Sequence, residues 1–449
     1  MSKILIIQLA RLGDIIQTKP LIEDIIFSNS NDQVFLLIND LFKDCAYFFP
    51  NVEIIPINFE SFIRQKENKI TVFENKYFLT LLDTLHNLHL DYVINLNNSI
   101  ISEKILAHFN NIPKIGFKCG NSEWTTYQLS FMKSRILNSL NLVDIFRFLG
   151  RNNSAIAALQ KTKPQQPPSP LKKNSSKKVA LQCGARNQKR QLTLKQYCDI
   201  ASSYLSLGYE ILLLGTIAES NTALQITQTI NSQQIINLTG RTNLQQLHDI
   251  IGQCERVFTP DTGTMHLAAL VNVPITVLFL GPAYPFETLA YTKKAQVIMP
   301  NPEYFPCYPC SDDYHCPYHN ACHTFNFTKH LNNVGQNEFL YLTVGSDEIG
   351  QTLFPLPEGA ALWRSFTKLY FFQVQQPFPE LSLKLVNQLS RELKLWKSIL
   401  DHSCLGQYRD NFFYLTPLLY YKTLSPNSIL PDQVIAFFQS FLKNKSLKT

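Results

Sequence analysis

"KILIIQLARLGDIIQTKPL", Lys3 to Leu21, decides how the fold is read. It opens on a strand-length run that is apolar at nearly every position, where a half-buried strand would alternate. Continuous apolarity means burial on both faces, and strands of that kind belong to parallel sheets covered by helices. The run stops at Arg11. Gly13 and Asp14 follow at the carboxyl end of the strand, and Pro20 falls within what otherwise reads as a helix. In parallel sheets ligands gather at that end of the strands. Asp14 therefore has two readings, a helix cap that complements the dipole or a carboxylate facing a ligand.

The same pattern recurs along the chain. "QVFLLIN", "VEIIPIN" and "DYVINLN" read as further strands, with helices near 78–88 and 101–109. After an interval, "KVALQC", "EILLLG", "ERVFTP" and "PITVLFLG" alternate with helices expected at Thr193–Leu207, Glu219–Ile230, Leu244–Cys254 and Thr264–Val271. Strand-helix alternation on both sides of a break predicts two doubly wound α/β domains facing a cleft. The break is "QKTKPQQPPSPLKKNSSKK", residues 160–178, with six lysines, four prolines and no acid. It reads as an exposed, semi-extended linker that also suits contact with an anionic membrane surface. The expected organisation is 1–159, a Rossmann-like domain; 160–178, the linker; 179–330, a second Rossmann-like domain that carries a cysteine cluster; and 331–449, a mostly helical extension. In that extension "EFLYLTV" suggests a strand, Leu381–Leu400 an amphipathic helix, and "NFFYLTPLLYY" (411–421) core packing or a membrane- or acceptor-facing surface.

Composition narrows the class. A chain of 449 residues with 45% hydrophobic content has room for two or three packed domains. No apolar run approaches the roughly 18 residues of a membrane span, and the N-terminus lacks the features of a signal peptide. A cytoplasmic protein is the expectation. The net charge of +7 is concentrated in the linker, so a nucleic-acid groove is not expected.

Three stretches carry chemistry. In "FTPDTGTMHLAAL", 258–270, a strand ends, Asp261-Thr262-Gly263 turns, and a helix starts. Free N–H groups at that start, the Thr262 hydroxyl and His266 in the first turn suit an anion such as a diphosphate. In "QCGARNQKRQL", 182–192, Lys189 and Arg190 follow a glycine turn and also suit a diphosphate, although solvated surface charge would explain them as well. In "GTIAES", Glu219 follows a strand, where an acid often takes ribose hydroxyls. There is no G-x-G-x-x-G after a strand, no P-loop and no D-x-D, so a diphosphate would be neutralised by side chains and helix N-termini rather than by Mg²⁺.

"ILIIQLARLGDIIQTKPL", "GARNQKR", "GTIAES", "LTGRTNLQQL" and "PDTGTMHLAALVNVPITVLF" together resemble the lipopolysaccharide heptosyltransferase family, glycosyltransferase family 9, in order over roughly residues 1–325. The resemblance implies a GT-B fold, with 1–159 binding the acceptor and 179–330 the donor, a nucleotide-sugar donor (usually ADP-heptose) and an inverting transfer without a catalytic metal. It implies Asp14 as general base, Lys189 as phosphate binder and Glu219 as ribose binder. Asp261, Thr262, Gly263 and His266 would hold the donor sugar and diphosphate, and Arg190 competes with Lys189 for the phosphate. Gly13 would let the acceptor approach closely. The implied acceptor is the lipopolysaccharide inner core at the inner face of the membrane, with a protein hydroxyl as the variant. A sugar-nucleotide epimerase of the same fold and a non-catalytic sugar-nucleotide or metal-binding protein are the rival readings.

"CYPCSDDYHCPYHNAC" places Cys307, Cys310, Cys316 and Cys322 within sixteen residues. A reducing compartment disfavours disulfides, and C-x-x-C brings two thiolates within reach of one metal. His315, His319 and His323 are alternative ligands. Relatives that modify adhesins are thought to hold iron at a comparable element. The expectation is a structural four-thiolate site, zinc ahead of iron, with a loop of reduced thiols as the alternative.

Overall fold

The computed structural model describes residues 2–66, 69–97, 99–117, 141–143, 146–147, 177–301, 304–305, 308–310, 316, 319–331, 336, 338–346 and 351–355. Most of the linker, Cys307, His315, Leu381–Leu400 and residues 411–421 fall outside them.

The first strand, β1 (Lys3–Ile7), is buried on both faces as its composition requires. Ile4 and Ile6 join one core and Leu5 and Ile7 the other. Each such side chain contributes about 1.5–3 kcal/mol when fully buried, and so fixes the strand at the centre of its sheet. β2 (Gln33–Asn39) and β3 (Val52–Ile57) lie on one side; β6 (Tyr92–Asn95) and β7 (Lys114–Gly116) lie on the other. The order is β3-β2-β1-β6-β7, all parallel. A small antiparallel hairpin, β4 (Ile63–Lys66) and β5 (Lys69–Val72), precedes the helix that leads into β6.

Pro20 divides the expected first helix in two. α1 (Leu12–Gln17) ends at Thr18, and α2 (Lys19–Ser28) begins at once, with Pro20 in its first turn. Proline is tolerated there because the missing N–H would have had no helical partner. The Thr18 hydroxyl donates to the Asp14 carbonyl at 2.9 Å, which closes the short helix that carries Asp14. α3 (Lys76–Asn87) buries Phe78, Leu81, Leu82 and Leu85, one apolar stripe at helical spacing. α4 is Ile100–Leu106.

The second sheet has the order β10-β9-β8-β11-β12-β13-β14-β15. β8 (Lys178–Gln182), β9 (Glu210–Leu214), β10 (Ile235–Asn237), β11 (Arg256–Pro260), β12 (Ile275–Leu278) and β13 (Ala295–Pro300) are parallel. β14 (Phe339–Ser346) and β15 (Gln351–Pro355) extend it antiparallel. The described part of the extension past residue 330 thus includes two strands of this sheet, not helix alone. The longer helices are α5 (Leu194–Ser206), α6 (Ser220–Ile230), α7 (Leu244–Gly252) and α8 (Gly263–Leu270). Among the described residues no helix is long and apolar enough to cross a membrane.

In each sheet the chain winds first to one side of its first strand and then returns to the other. The reversals fall between β1 and β6 and between β8 and β11. Such switch points open a crevice at the carboxyl ends of the strands. The helices leaving β1 and β11 touch each other, which brings the two crevices together. A Cβ on Gly13 of α1 would lie 2.7 Å from His266 Cδ2 of α8, and one on Gly263 would lie 3.2 Å from Leu12 Cδ2. One buried apolar cluster runs through this contact from Ile15 to Met265, so the domains share part of their core.

Candidate active site

Asp14 is the third residue of α1. One of its carboxylate oxygens, Oδ2, accepts the Arg11 backbone N–H at 3.1 Å. It is therefore a helix cap, as the plain reading of the sequence has it. It is also placed where a cap alone would not need it, against the second domain. Burial pushes its carboxyl pKa above the usual value, opposed by the Arg11 N–H and by the charges of Arg11 and Arg190. A carboxylate raised in this way is a better proton acceptor than one in water.

The second domain meets it with the turn after β11. Asp261 pairs with Arg190 Nη1 at 2.8 Å, and the two side chains are 8% and 15% exposed. Burial raises the Asp261 carboxyl pKa; Arg190 opposes that, and the charge of Asp14 adds to it. Asp14, Asp261 and Arg190 thus lie close enough to feel one another electrostatically. The pair spans the crevice, because Arg190 belongs to the loop after β8 and Asp261 to the loop after β11. A second bond, Thr264 Oγ1 to Gln182 Oε1 at 2.6 Å, links the same two segments below it.

His266 is 5% exposed, and burial lowers its pKa to about 4. Its imidazole is neutral at ordinary pH, with one N–H to donate and one lone pair. Gly13 was expected to make room for an acceptor. The atoms that fill that room are those of His266, since a Cβ on Gly13 would also come 3.0 Å from Nε2. Thr262 precedes α8, but its hydroxyl pairs with Thr259 Oγ1 at 2.9 Å and does not cap the helix. Gly263 is the first residue of that helix.

Lys189 and Arg190 sit in a 3-10 turn, Gln188–Arg190, started by Asn187, whose side chain accepts the Lys189 N–H at 2.9 Å. Arg190 pairs with Asp261, and Lys189 beside it is half-buried. Glu219 packs against two glycines. A Cβ would lie 2.6 Å from its Cγ at Gly184 and 2.9 Å from its Cβ at Gly215. Its Oε2 accepts the Thr216 N–H at 2.6 Å and the Thr216 hydroxyl at 2.7 Å, so it also closes its own turn.

The metal expectation is not met by the described residues. Among them no group of three or more His, Cys, Asp or Glu side chains comes together to hold an ion. Cys310, Cys316 and Cys322 are reduced and half-buried. The Asn320 N–H donates to Cys316 Sγ at 3.2 Å, and His323 turns its Nε2 to the Lys189 carbonyl.

A buried polar group at the first switch point was not anticipated. Asn97 Nδ2 donates to Gln8 Oε1 at 2.7 Å, and Leu9 N–H donates to Asn97 Oδ1. Asn95 Nδ2 reaches Ser102 Oγ at 3.3 Å and the Phe117 carbonyl at 2.6 Å. The signal was in the sequence: Gln8, Asn95 and Asn97 interrupt apolar runs at the carboxyl ends of β1 and β6. These bonds fix the loop beside Asp14.

Residues 78–317 match the family model for glycosyltransferase family 9 (heptosyltransferase), just over half of the chain. The chain belongs to glycosyltransferase family 9. Among its relatives, lipooligosaccharide heptosyltransferase 2 of Haemophilus influenzae is 34% identical over 105 residues, 23% of this chain and 30% of that protein. Lipooligosaccharide heptosyltransferase 2 of Campylobacter jejuni is 27% identical over 318 residues, 69% of this chain and 91% of that protein. The stretch shared with the Haemophilus protein thus spans under a third of that protein's length. The family fold appears in E. coli ADP-heptose lps heptosyltransferase II, with a TM-score of 0.51 at 20% identity over 66% of this chain and 89% of that one. E. coli heptosyltransferase WaaC with ADP gives 0.50 at 14% identity over 74% and 100%. The two Rossmann-like domains described above are the GT-B arrangement of that family.

Proposed function

We propose that this family 9 chain is an inverting glycosyltransferase that moves heptose from ADP-heptose to an acceptor hydroxyl of the lipopolysaccharide inner core. The observation that carries this is the meeting of Asp14, from the first switch point, with Arg190, Asp261 and His266, from the second. The relatives' names supply the sugar and the acceptor class. A single base opposite a bound diphosphate is what inverting transfer needs.

In the proposed step Asp14 accepts the proton of the acceptor hydroxyl. The oxygen forms a bond to the anomeric carbon as the bond from that carbon to the diphosphate oxygen breaks, and ADP leaves with the electron pair. Lys189 and Arg190 balance the charge that develops on the diphosphate, and neutral His266 donates one hydrogen bond to it. Asp261 holds Arg190 in place and presents a carboxylate to the sugar. Glu219 takes the ribose. This division of labour asks nothing of a catalytic metal. A structural metal at the cysteines would need Cys307 as well, and elemental analysis of untagged protein tests it. The acceptor places the enzyme in the cytoplasm, at the inner face of the membrane, with no part for nucleic acid.

The test is a panel of nucleotide sugars assayed with and without core oligosaccharide, in EDTA. ADP release that depends on both ADP-heptose and the oligosaccharide is the expected result. Conversion of the nucleotide sugar without an acceptor would favour an epimerase. Transfer to a protein hydroxyl instead of the oligosaccharide would keep the reaction and change the acceptor.

A further inference from the structure

The Cys/His segment has no place in the proposed chemistry, yet it touches the turn that carries Lys189 and Arg190. His323 Nε2 lies 3.2 Å from the Lys189 carbonyl oxygen. A carbonyl only accepts, so this nitrogen carries the proton. On another side the same oxygen is closed in by Gly281, at φ +60°, where a Cβ would lie 2.6 Å from it. Gly281 is tied in turn to the segment, because the Cys310 N–H donates to its carbonyl at 3.2 Å.

His323 is itself held from behind. Gln196 Nε2 donates to the His323 carbonyl at 3.0 Å and to the Phe325 carbonyl at 2.9 Å. Gln196 Oε1 accepts the Thr193 N–H at 2.8 Å in the capping box of α5, and Gln196 is buried. A hydrogen-bonded path therefore runs from the start of α5 through Gln196 and His323 to Lys189. Beside Lys189, Arg190 reaches Asp261.

We infer that His323 is a positioning residue for donor binding: its imidazole fixes the Lys189 carbonyl and so sets the turn from which Lys189 and Arg190 reach the diphosphate. The inference rests on the proposed donor reading. It gives the segment around Cys310, Cys316 and Cys322 a task that needs no ion, which is to brace the phosphate-side loop from outside.

Calorimetry with ADP tests it on the full chain, comparing wild type with His323→Ala, His323→Gln and His323→Asn. Loss of one hydrogen bond to a half-buried carbonyl predicts weaker ADP binding by about 5- to 10-fold for His323→Ala. Glutamine places its amide nitrogen near the position of imidazole Nε2 and should restore binding to within about 2-fold. Asparagine places its nitrogen nearer Nδ1 and should behave like alanine. A role in folding alone would lower the melting temperature without this ordering. Should His323→Ala fail to fold, the glutamine–asparagine pair decides. Equal ADP affinity in His323→Ala and wild type, or a glutamine variant as weak as asparagine, overturns the inference alone. A wild type that binds no ADP overturns the donor reading and this inference with it.

Discussion

Both switch points set a carboxylate after a central strand, but they hold it differently. Asp261 is gripped by a guanidinium at 2.8 Å in a buried pair. Asp14 receives a backbone N–H at 3.1 Å and only the field of Arg190 from across the domain contact. Burial raises the proton affinity of both carboxylates, and at Asp261 the paired guanidinium opposes that rise and holds the side chain in place. At Asp14 the rise is opposed by backbone N–H groups and by the charges of Arg11 and Arg190. On the proposed reading, that difference leaves the proton transfer to Asp14 of the first domain and gives Asp261 of the second a part in binding.

The sharpest break in that comparison is Asp14→Asn. Loss of a general base costs about 10²–10⁴ in rate, so kcat should fall by that much, while asparagine still caps α1. Its stability should move the other way. Burial raises the Asp14 pKa, so the folded state holds this proton to higher pH than the unfolded state does. The carboxylate's stability is then best at low pH and is lost as pH rises through the raised value. The variant should melt no lower than wild type at neutral pH; a clear drop in melting temperature would contradict the assigned burial.

Asp261→Ala should show the reverse balance. Removing one partner of a buried pair leaves the other uncompensated and costs about 3 kcal/mol, which chemical denaturation will read. Stability equal to wild type would mean that the pair is not buried in solution.

His266 adds a pH signature in the second domain. Its pKa is about 4 when folded, against 6.5 as the reference for the unfolded chain. The unfolded state takes up this proton first, so stability should fall by about 3 kcal/mol as pH drops from 6.5 toward 4. His266→Gln should remove that slope, and an unchanged slope would put the loss elsewhere.

The domain contact has its own pair of tests. Gly13→Ala drives a methyl into the His266 ring, 2.7 Å from Cδ2, whereas Gly263→Ala meets the flexible end of Leu12 at 3.2 Å. Overpacking of a rigid site costs about 1–3 kcal/mol. Gly13→Ala should therefore lower kcat/KM clearly more than Gly263→Ala. Equal effects would show that the domains separate easily at this contact.

Much of this was legible because parallel strands buried on both faces leave unbroken apolar runs, as in Ile4–Ile7 and Ile211–Leu214. Their carboxyl ends then mark where Asp14 and Asp261 must lie. Short elements such as β7 and β10 were not legible, because three residues carry no period. β13 was missed because "AQVIMP" is bounded by proline, and the hairpin β4–β5 because each of its strands is only four residues long. The partners of the site residues were also hidden. Nothing in "RLGDI" says that Gly13 faces an imidazole more than 250 residues on. Nothing in the cysteine spacing says that His323 reaches the Lys189 carbonyl. Contacts between distant segments follow from how the domains dock, which local pattern does not encode.

The division into a chemical domain and a binding domain is tested most directly by the ADP affinity of Asp14→Asn, measured by calorimetry beside wild type. The account predicts dissociation constants within a few-fold of each other, alongside the lost turnover. An ADP affinity reduced in proportion to the lost rate would contradict it, because Asp14 would then be serving the donor and not the acceptor hydroxyl.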